Sequence, residues 1–124
     1  NHQADKPDKK VYDITASGRA ALSHWVAQAV KPNKINDALL VKLYAGHLTD
    51  TANLLEEMQR HKTTHQKTLK QLQQIEALYH SLPDDKKRRY ELPWITLRRG
   101  LIGEAAWLEW ADEVILFLNK RIKT

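Results

Sequence analysis

The sequence predicts an all-α protein, an antiparallel helical hairpin or bundle with long helices. Only four glycines and four prolines interrupt its 124 residues. Between them, apolar residues recur three and four positions apart, which is the period of an α-helix. A chain of this length forms one domain. We therefore expect a helical domain over residues 15–124, preceded by a short strand-like stub at residues 1–14 that contains "KKVYDI".

The first helix is predicted to begin after Thr15, whose hydroxyl suits an N-cap position, and to stop near Pro32. Its apolar residues follow the i, i+3, i+4, i+7 spacing that places side chains on one helix face. A single apolar face predicts a single neighbouring surface. The face consists of Leu22, Trp25, Val26 and Ala29.

The second helix is predicted over "DALLVKLYAG", residues 37–46, with Gly46 as its C-cap. Nearly all of its residues are apolar, so we expect it to be buried on most sides.

A long third helix is predicted from a cap at Thr49 or Asp50 to about Ser81. Residues spaced alternately three and four positions apart form a stripe along this helix. The stripe is apolar at both ends and polar in the middle, where His61 and His65 lie. Such a stripe predicts a long hairpin partner.

The last helix is predicted to hold Pro93 in its first turn and to end near Ile122. It carries two apolar seams, which predict two neighbours. Gly100 and Gly103 remove side-chain bulk, so another backbone could approach closely. The second neighbour is either the chain's own core or a two-fold-related copy. One seam comprises Trp94, Leu97, Leu101, Leu108, Ala111, Ile115, Leu118 and Ile122, and the other comprises Trp107, Trp110, Val114 and Phe117.

The net charge of +5 is scattered along the chain. The densest basic run is "KKRR" at residues 86–89, flanked by Asp84, Asp85 and Glu91. This mixture favours a solvated turn over a phosphate-contacting patch, which needs a clustered basic face. We do not expect this chain to bind DNA by itself.

The absence of cysteine excludes disulfides and thiolate metal sites, and it suits a reducing cytoplasm. No apolar run approaches the roughly 20 residues that span a bilayer. We expect a soluble, cytoplasmic protein with no membrane contact.

His61 and His65 share one helix face, with Glu57 one turn earlier, a spacing that can bind zinc. A zinc site needs three or four ligands, so a polar break in the seam is the favoured interpretation and no metal or cofactor is predicted. No nucleophile motif, glycine-rich phosphate loop or facing carboxylate pair is present, so an enzyme is not expected.

Trp107, Trp110 and Tyr44 are candidates for an apolar pocket that binds a flat ligand. Aromatic residues at helical spacing also pack in cores and anchor interfaces, and this second interpretation is favoured.

The junction "KKVYDITASGRAALSHWV" resembles the end of the winged-helix domain in the PadR family of transcription regulators, where a Tyr-x-Ile/Leu-Thr strand leads into a helix with Gly-Arg, Leu and Trp. The segments "INDALLVKLYAGHL" and "LRRGLIGEAAWLEWADEVILFL" resemble helices of the virulence-activator type of this family. The resemblance extends from Lys9 to Ile122. Its matching positions in the junction are Tyr12, Ile14, Thr15, Gly18, Arg19, Leu22 and Trp25.

This resemblance implies the C-terminal helical domain of a bacterial homodimeric regulator whose N-terminal winged helix, which binds operator DNA, lies outside this sequence. Residues 1–14 would be the end of the wing, with Lys9 and Lys10 as its remaining DNA contacts. An aromatic effector or a second regulator is a further partner that the resemblance implies. The expected dimer interface consists of Leu22, Trp25, Val26 and Ala29 with Leu101, Leu108, Ile115 and Leu118.

Two other classes of function stay open. One is a small-molecule or metal sensor, and the other is a free-standing helical scaffold that binds a partner protein.

Overall fold

The computed structural model describes residues 15–32 and 37–123, and its helices confirm the all-α prediction. No strand occurs among these residues. The predicted strand-like stub at residues 1–14, with Lys9 and Lys10, lies outside them. The chain divides into two compact units, Asn1–Asn36 and Asp37–Thr124. The helices are α1 (Ala16–Ala27), α2 (Ala38–Tyr44), α3 (Thr51–His80), α4 (Asp84–Arg89) and α5 (Glu91–Lys123), with a 3-10 turn at Gly46–Leu48.

The start of α1 is the one predicted, and its end is earlier. Oγ1 of Thr15 accepts a hydrogen bond from the backbone N–H of Gly18 at 3.0 Å, an N-cap contact. The helix stops at Ala27 and not near Pro32, because Gln28 has an extended backbone with ψ of 151°.

Ala29 therefore lies beyond the end of α1, and the prediction that it shares the helix face is wrong. The other three residues of the face, Leu22, Trp25 and Val26, lie on the helix with their side chains exposed. None of the residues of α1 is buried.

The long helices α3 and α5 form the predicted antiparallel hairpin. Nζ of Lys62 lies 2.6 Å from Oδ1 of Asp112. Farther along α3, Oε2 of Glu76 lies 3.6 Å from Nη1 of Arg98, which precedes Asp112 on α5. Helices of 30 and 33 residues are about 45 to 50 Å long.

The core lies at the base of the hairpin, which we define as the start of α3, the end of α5 and the neighbouring α2. The opposite end, formed by the end of α3, α4 and the start of α5, is called the tip. Five buried side chains make up the core, and Met58 and Ala111 are wholly inaccessible to water. The five are Leu39, Leu54, Met58, Ala111 and Leu118.

The prediction that the second helix is buried on most sides is wrong. Only Leu39 of α2 is buried, while Val41 and Tyr44 are exposed, because the hairpin base covers a single side of this short helix. Its C-cap is Ala45, and Gly46 begins the 3-10 turn that follows.

Candidate functional site

A polar and aromatic cluster joins the two long helices midway along the hairpin. Nδ1 of His65 on α3 lies 2.5 Å from Oε1 of Glu104 on α5. The same imidazole stacks on Trp107, with ring centroids 3.7 Å apart and planes 18° apart. Trp107 in turn meets Trp110 edge to face at 5.8 Å. The polar break predicted in the α3 seam therefore has a partner on the facing helix.

Both polar members of this cluster are partly shielded from water, the His65 side chain at 28% exposed and Glu104 at 20%. A hydrogen bond in such surroundings is stronger than one in water, and leaving either group unpaired there is costly. The pair and the stack together favour one register of α3 against α5.

A second charged group surrounds Glu57, near the start of α3. Its carboxylate accepts a hydrogen bond from Arg60 and lies 3.6 Å from Nζ of Lys42 on α2 and 3.4 Å from Nε2 of His61. The hydrogen bond from Arg60 lowers the pKa of Glu57 below its ordinary range, and the charges of Arg60 and Lys42 lower it further. Glu57 therefore carries a negative charge that ties α2 to α3.

The two histidines that share a face of α3 serve separate partners, since His61 approaches Glu57 and His65 approaches Glu104. Within residues 15–32 and 37–123, no group of three or more metal-ligating side chains is close enough to hold a metal ion.

The structure separates the three predicted ligand residues. Tyr44 is 92% exposed and lines a cavity of about 470 Å³ at the hairpin base, together with His47, Glu113 and Phe117. Trp107 and Trp110 instead pack against the core. Their role in binding a ligand stays a prediction, and Tyr44 is the member that faces a cavity.

The predicted interface residues of α5 differ in exposure. Leu101 and Leu118 are 6% and 4% exposed, so they are already covered within this chain, and Leu118 belongs to its core. Leu108 and Ile115 are half-buried. The role of this seam in a dimer stays a prediction.

A third face of α5 was missed by the sequence analysis. Ile95, Ile102 and Leu116 are all exposed, and none of them belongs to the two predicted seams. Their positions differ by multiples of seven, which places them on one stripe of the helix. That spacing is the signal in the sequence that could have found them.

Within the described residues, no helix is long and apolar enough to cross a membrane.

Comparisons with known proteins agree with this architecture. The family model described as the C-terminal part of virulence activator alpha matches residues 35–119. A probable transcriptional regulator of Mycobacterium tuberculosis, Rv1176c, is 29% identical over 129 residues, which span 96% of this chain and 68% of that protein.

Two solved structures share the fold. The virulence activator AphA of Vibrio cholerae superimposes with a TM-score of 0.75 and 31% identity over 93% of this chain and 68% of AphA. The PadR-like transcriptional regulator BC1756 of Bacillus cereus gives a TM-score of 0.67 over 87% of this chain and 62% of its own. At 16% identity, this second likeness bears on the fold alone.

Proposed function

Because this chain belongs to the virulence activator alpha C-terminal family, a group of PadR-like transcription regulators, we propose that it is the dimerisation domain of its regulator. Proteins of this family are regulators of transcription and not enzymes. In the proposed role, two copies of the domain hold two winged-helix domains on operator DNA. A two-fold protein reads half-sites about one helical turn, or about 34 Å, apart, so the dimer sets the spacing.

The exposed face of α1 carries this proposal. The helix has 12 residues and no buried side chain. Isolated helices of about 12 to 15 residues are marginal in water, so α1 needs a surface that covers its apolar face. Leu22, Trp25 and Val26 supply an aromatic anchor with aliphatic neighbours, the composition that stable interfaces use.

The third face of α5 supports the same proposal from the other unit of the chain. Ile95, Ile102 and Leu116 are exposed apolar residues on one stripe of a helix of 33 residues. Glu109 interrupts this stripe. Apolar residues at this spacing pack against a second helix of the same kind. A two-fold copy offers both an equivalent stripe and an equivalent α1.

Light scattering during gel filtration at micromolar concentration tests the dimer. We expect a mass of two chains for the unaltered protein and of one chain for Trp25→Ser combined with Val26→Ser. The matched control is Leu48→Ser, at a still more exposed apolar residue on the 3-10 turn, and this variant should remain dimeric. A mass of one chain for the unaltered protein would contradict the proposal.

A second candidate function, binding of an aromatic effector, is favoured by the cavity at the hairpin base. Apolar walls from Val114 and Phe117 stand beside the polar groups of Tyr44, His47 and Glu113. A cavity with few polar groups on apolar walls suits a flat, substituted aromatic molecule such as a phenolic acid.

Titration of tryptophan fluorescence with 4-hydroxycinnamic acid tests this candidate. We expect a saturable change that is lost in Tyr44→Ala and kept in Tyr90→Ala, an exposed tyrosine outside the cavity. A flat response in the unaltered protein excludes this effector class.

A further inference from the structure

A separate apolar groove lies at the tip of the hairpin. Its volume is about 280 Å³, just below the roughly 300 to 1,000 Å³ of most small-molecule sites. Leu78 on its wall is 68% exposed, so the groove is open to solvent along α3. The aliphatic and aromatic walls include Ile75, Leu78 and Leu82 from the end of α3 with Pro93, Trp94 and Leu97 from the start of α5.

Two aromatic rings hold the shape of this groove. Tyr79 and Trp94 stack with ring centroids 5.5 Å apart and planes 13° apart. The hydroxyl of Tyr79 also donates to the backbone carbonyl of Lys87 at 3.2 Å, which ties α4 to the groove. A site whose walls are fixed in this way loses little conformational freedom when it binds a ligand.

Trp94 lines the groove without presenting its N–H group to it. Nε1 of Trp94 is the single buried side-chain nitrogen or oxygen without a hydrogen-bond partner in residues 15–32 and 37–123. Less than 1 Å² of this atom is accessible to water, so its N–H does not face the open groove and Trp94 adds apolar surface to the wall.

The end of α4 adds positive charge next to the groove. Its last turn, Lys86 to Arg89, leads directly into Tyr90, which lines the groove. None of these four cationic side chains forms an ion pair within the described part of the chain. Asp84 and Asp85 occupy the first turn of α4 and Glu91 follows Tyr90, so the positive charge is confined to one turn.

The same charges disfavour the α1 helix of a second copy as the occupant of the groove. The residues of α1 include Arg19 and no acidic residue. The α1 helix of a second copy would therefore bring like charge to the cationic turn, which costs free energy. An occupant with an anionic group is favoured.

We propose that the tip groove binds a small anionic amphiphile, such as a medium-chain fatty acid. The alkyl chain lies along the apolar walls, and the carboxylate is attracted by the cations of α4. The long stems of lysine and arginine let their charges reach across apolar surface to such a head group. This site does not depend on the proposed dimer or on the cavity at the base.

Calorimetric titration of the whole chain tests the proposal, with decanoate, decanol and decyltrimethylammonium as probes below their micellar concentrations. We expect saturable binding of one decanoate per chain and at least tenfold weaker binding of decanol. Decyltrimethylammonium should not bind. Raising the salt concentration should weaken the binding of decanoate and leave the binding of decanol unchanged.

Two variants, each with a matched control, locate the binding site. Leu78→Asp should abolish decanoate binding, whereas Leu48→Asp, at an exposed leucine of the 3-10 turn, should keep it. Combining Arg88→Gln with Arg89→Gln should weaken the binding of decanoate. The control that combines Lys67→Gln with Lys70→Gln on α3 should not change it.

Each of the following results overturns the proposal: no saturable decanoate binding, equal binding of decanol, or unchanged decanoate binding in Leu78→Asp. Binding of 2-naphthoate without decanoate would replace the alkyl ligand with an aromatic one. A fall from two chains to one in the light-scattering mass of Leu78→Asp, with no decanoate binding in the unaltered protein, would assign the groove to a second copy.

Discussion

At the scale of single residues, the glycines of the hairpin unit face different neighbours. A methyl group added at Gly46 would lie 2.7 Å from Cδ1 of Leu54, which is packed in the core. One added at Gly103 would meet only the mobile end of the Arg99 side chain. The first glycine is required by packing, whereas the second is a helix residue with room for a side chain.

We predict opposite effects for the two alanine substitutions. Gly46→Ala forces Leu54 to shift in the core and should lower the free energy of unfolding by about 1 to 3 kcal/mol. Gly103→Ala improves helix propensity and should raise that free energy by up to about 1 kcal/mol. Urea denaturation at fixed protein concentration measures both, and a loss of stability in Gly103→Ala would show a close contact at that position.

The pair formed by His65 and Glu104 gives a second prediction at this scale. Replacing one member by leucine leaves the other without a partner between two helices that partly shield it from water. This should lower the free energy of unfolding by about 1 to 3 kcal/mol. Replacing both by leucine should cost much less than the sum, because packed apolar residues can substitute for a buried polar pair. A double-mutant cycle in urea measures the coupling, and additive losses would mean that the pair is not coupled.

The sequence placed His61 and His65 on one face of the third helix and predicted a polar break there. It could not give the partners, since Glu104 is 39 positions away and its approach depends on the hairpin register. The same limit applies to Gly100. Close approach was predicted there, and the structure shows Leu72 of the same chain as its neighbour.

At the scale of elements, helix limits were predictable where a cap residue or proline marks them. Thr15 caps α1 as expected, and α5 begins two residues before Pro93. The exposure of α2 was not predictable from the sequence. An almost wholly apolar segment has the same pattern whether residues of its own chain or of another chain bury it. The exposed Val41 and Tyr44 show that α3 and α5 supply only part of that cover.

Glu57 gives a pH prediction for the contact between α2 and α3. Its pKa is lowered in the folded chain, first by the hydrogen bond from Arg60, relative to an ordinary value of about 4.5. A carboxyl group with a lowered folded pKa contributes stability above its unfolded value and loses it as the pH falls through the folded value. The contribution should therefore be present at neutral pH and disappear below about pH 4.5.

The variant Glu57→Gln tests this sign. It should be less stable than the unaltered chain at pH 7. This difference in stability should shrink steadily as the pH falls below the ordinary pKa of a glutamate carboxyl group. Glu56→Gln, the adjacent and exposed carboxyl group, is the matched control. Thermal unfolding followed by circular dichroism between pH 3 and pH 7 measures the trend, and a difference that grows toward acid pH would contradict it.

At the scale of the whole molecule, exposed apolar residues outnumber buried ones. Among the described residues, six apolar side chains are buried and seventeen large ones are exposed. An excess of exposed apolar residues is expected of a chain whose surface another molecule covers, because large exposed apolar patches mark interaction sites. The sequence predicts that the last helix packs against two neighbours, so a second covered surface is expected. It does not show which face of α5 lacks a neighbour in this chain.

If a second copy covers α1 and the third face of α5, stability must depend on protein concentration. Anything that binds the folded chain alone stabilises it by mass action, about 2.7 kcal/mol for a hundredfold rise in concentration once association is tight. For a domain of this size, that energy corresponds to an increase in melting temperature of roughly 5 to 10 °C. Scanning calorimetry at roughly 2 µM and 200 µM, a hundredfold range over which the proposed dimer stays associated, should show this increase.

The combined variant Ile102→Ser and Leu116→Ser separates the contribution of α5 from that of α1. Removing two exposed apolar side chains costs nothing in the chain's own core, since neither belongs to it. We therefore expect the variant to keep its helical circular dichroism at high concentration while its melting temperature loses most of its concentration dependence. If the dependence persists in this variant and vanishes in Trp25→Ser with Val26→Ser, dimerisation uses α1 and another surface, and the third face of α5 binds a different partner.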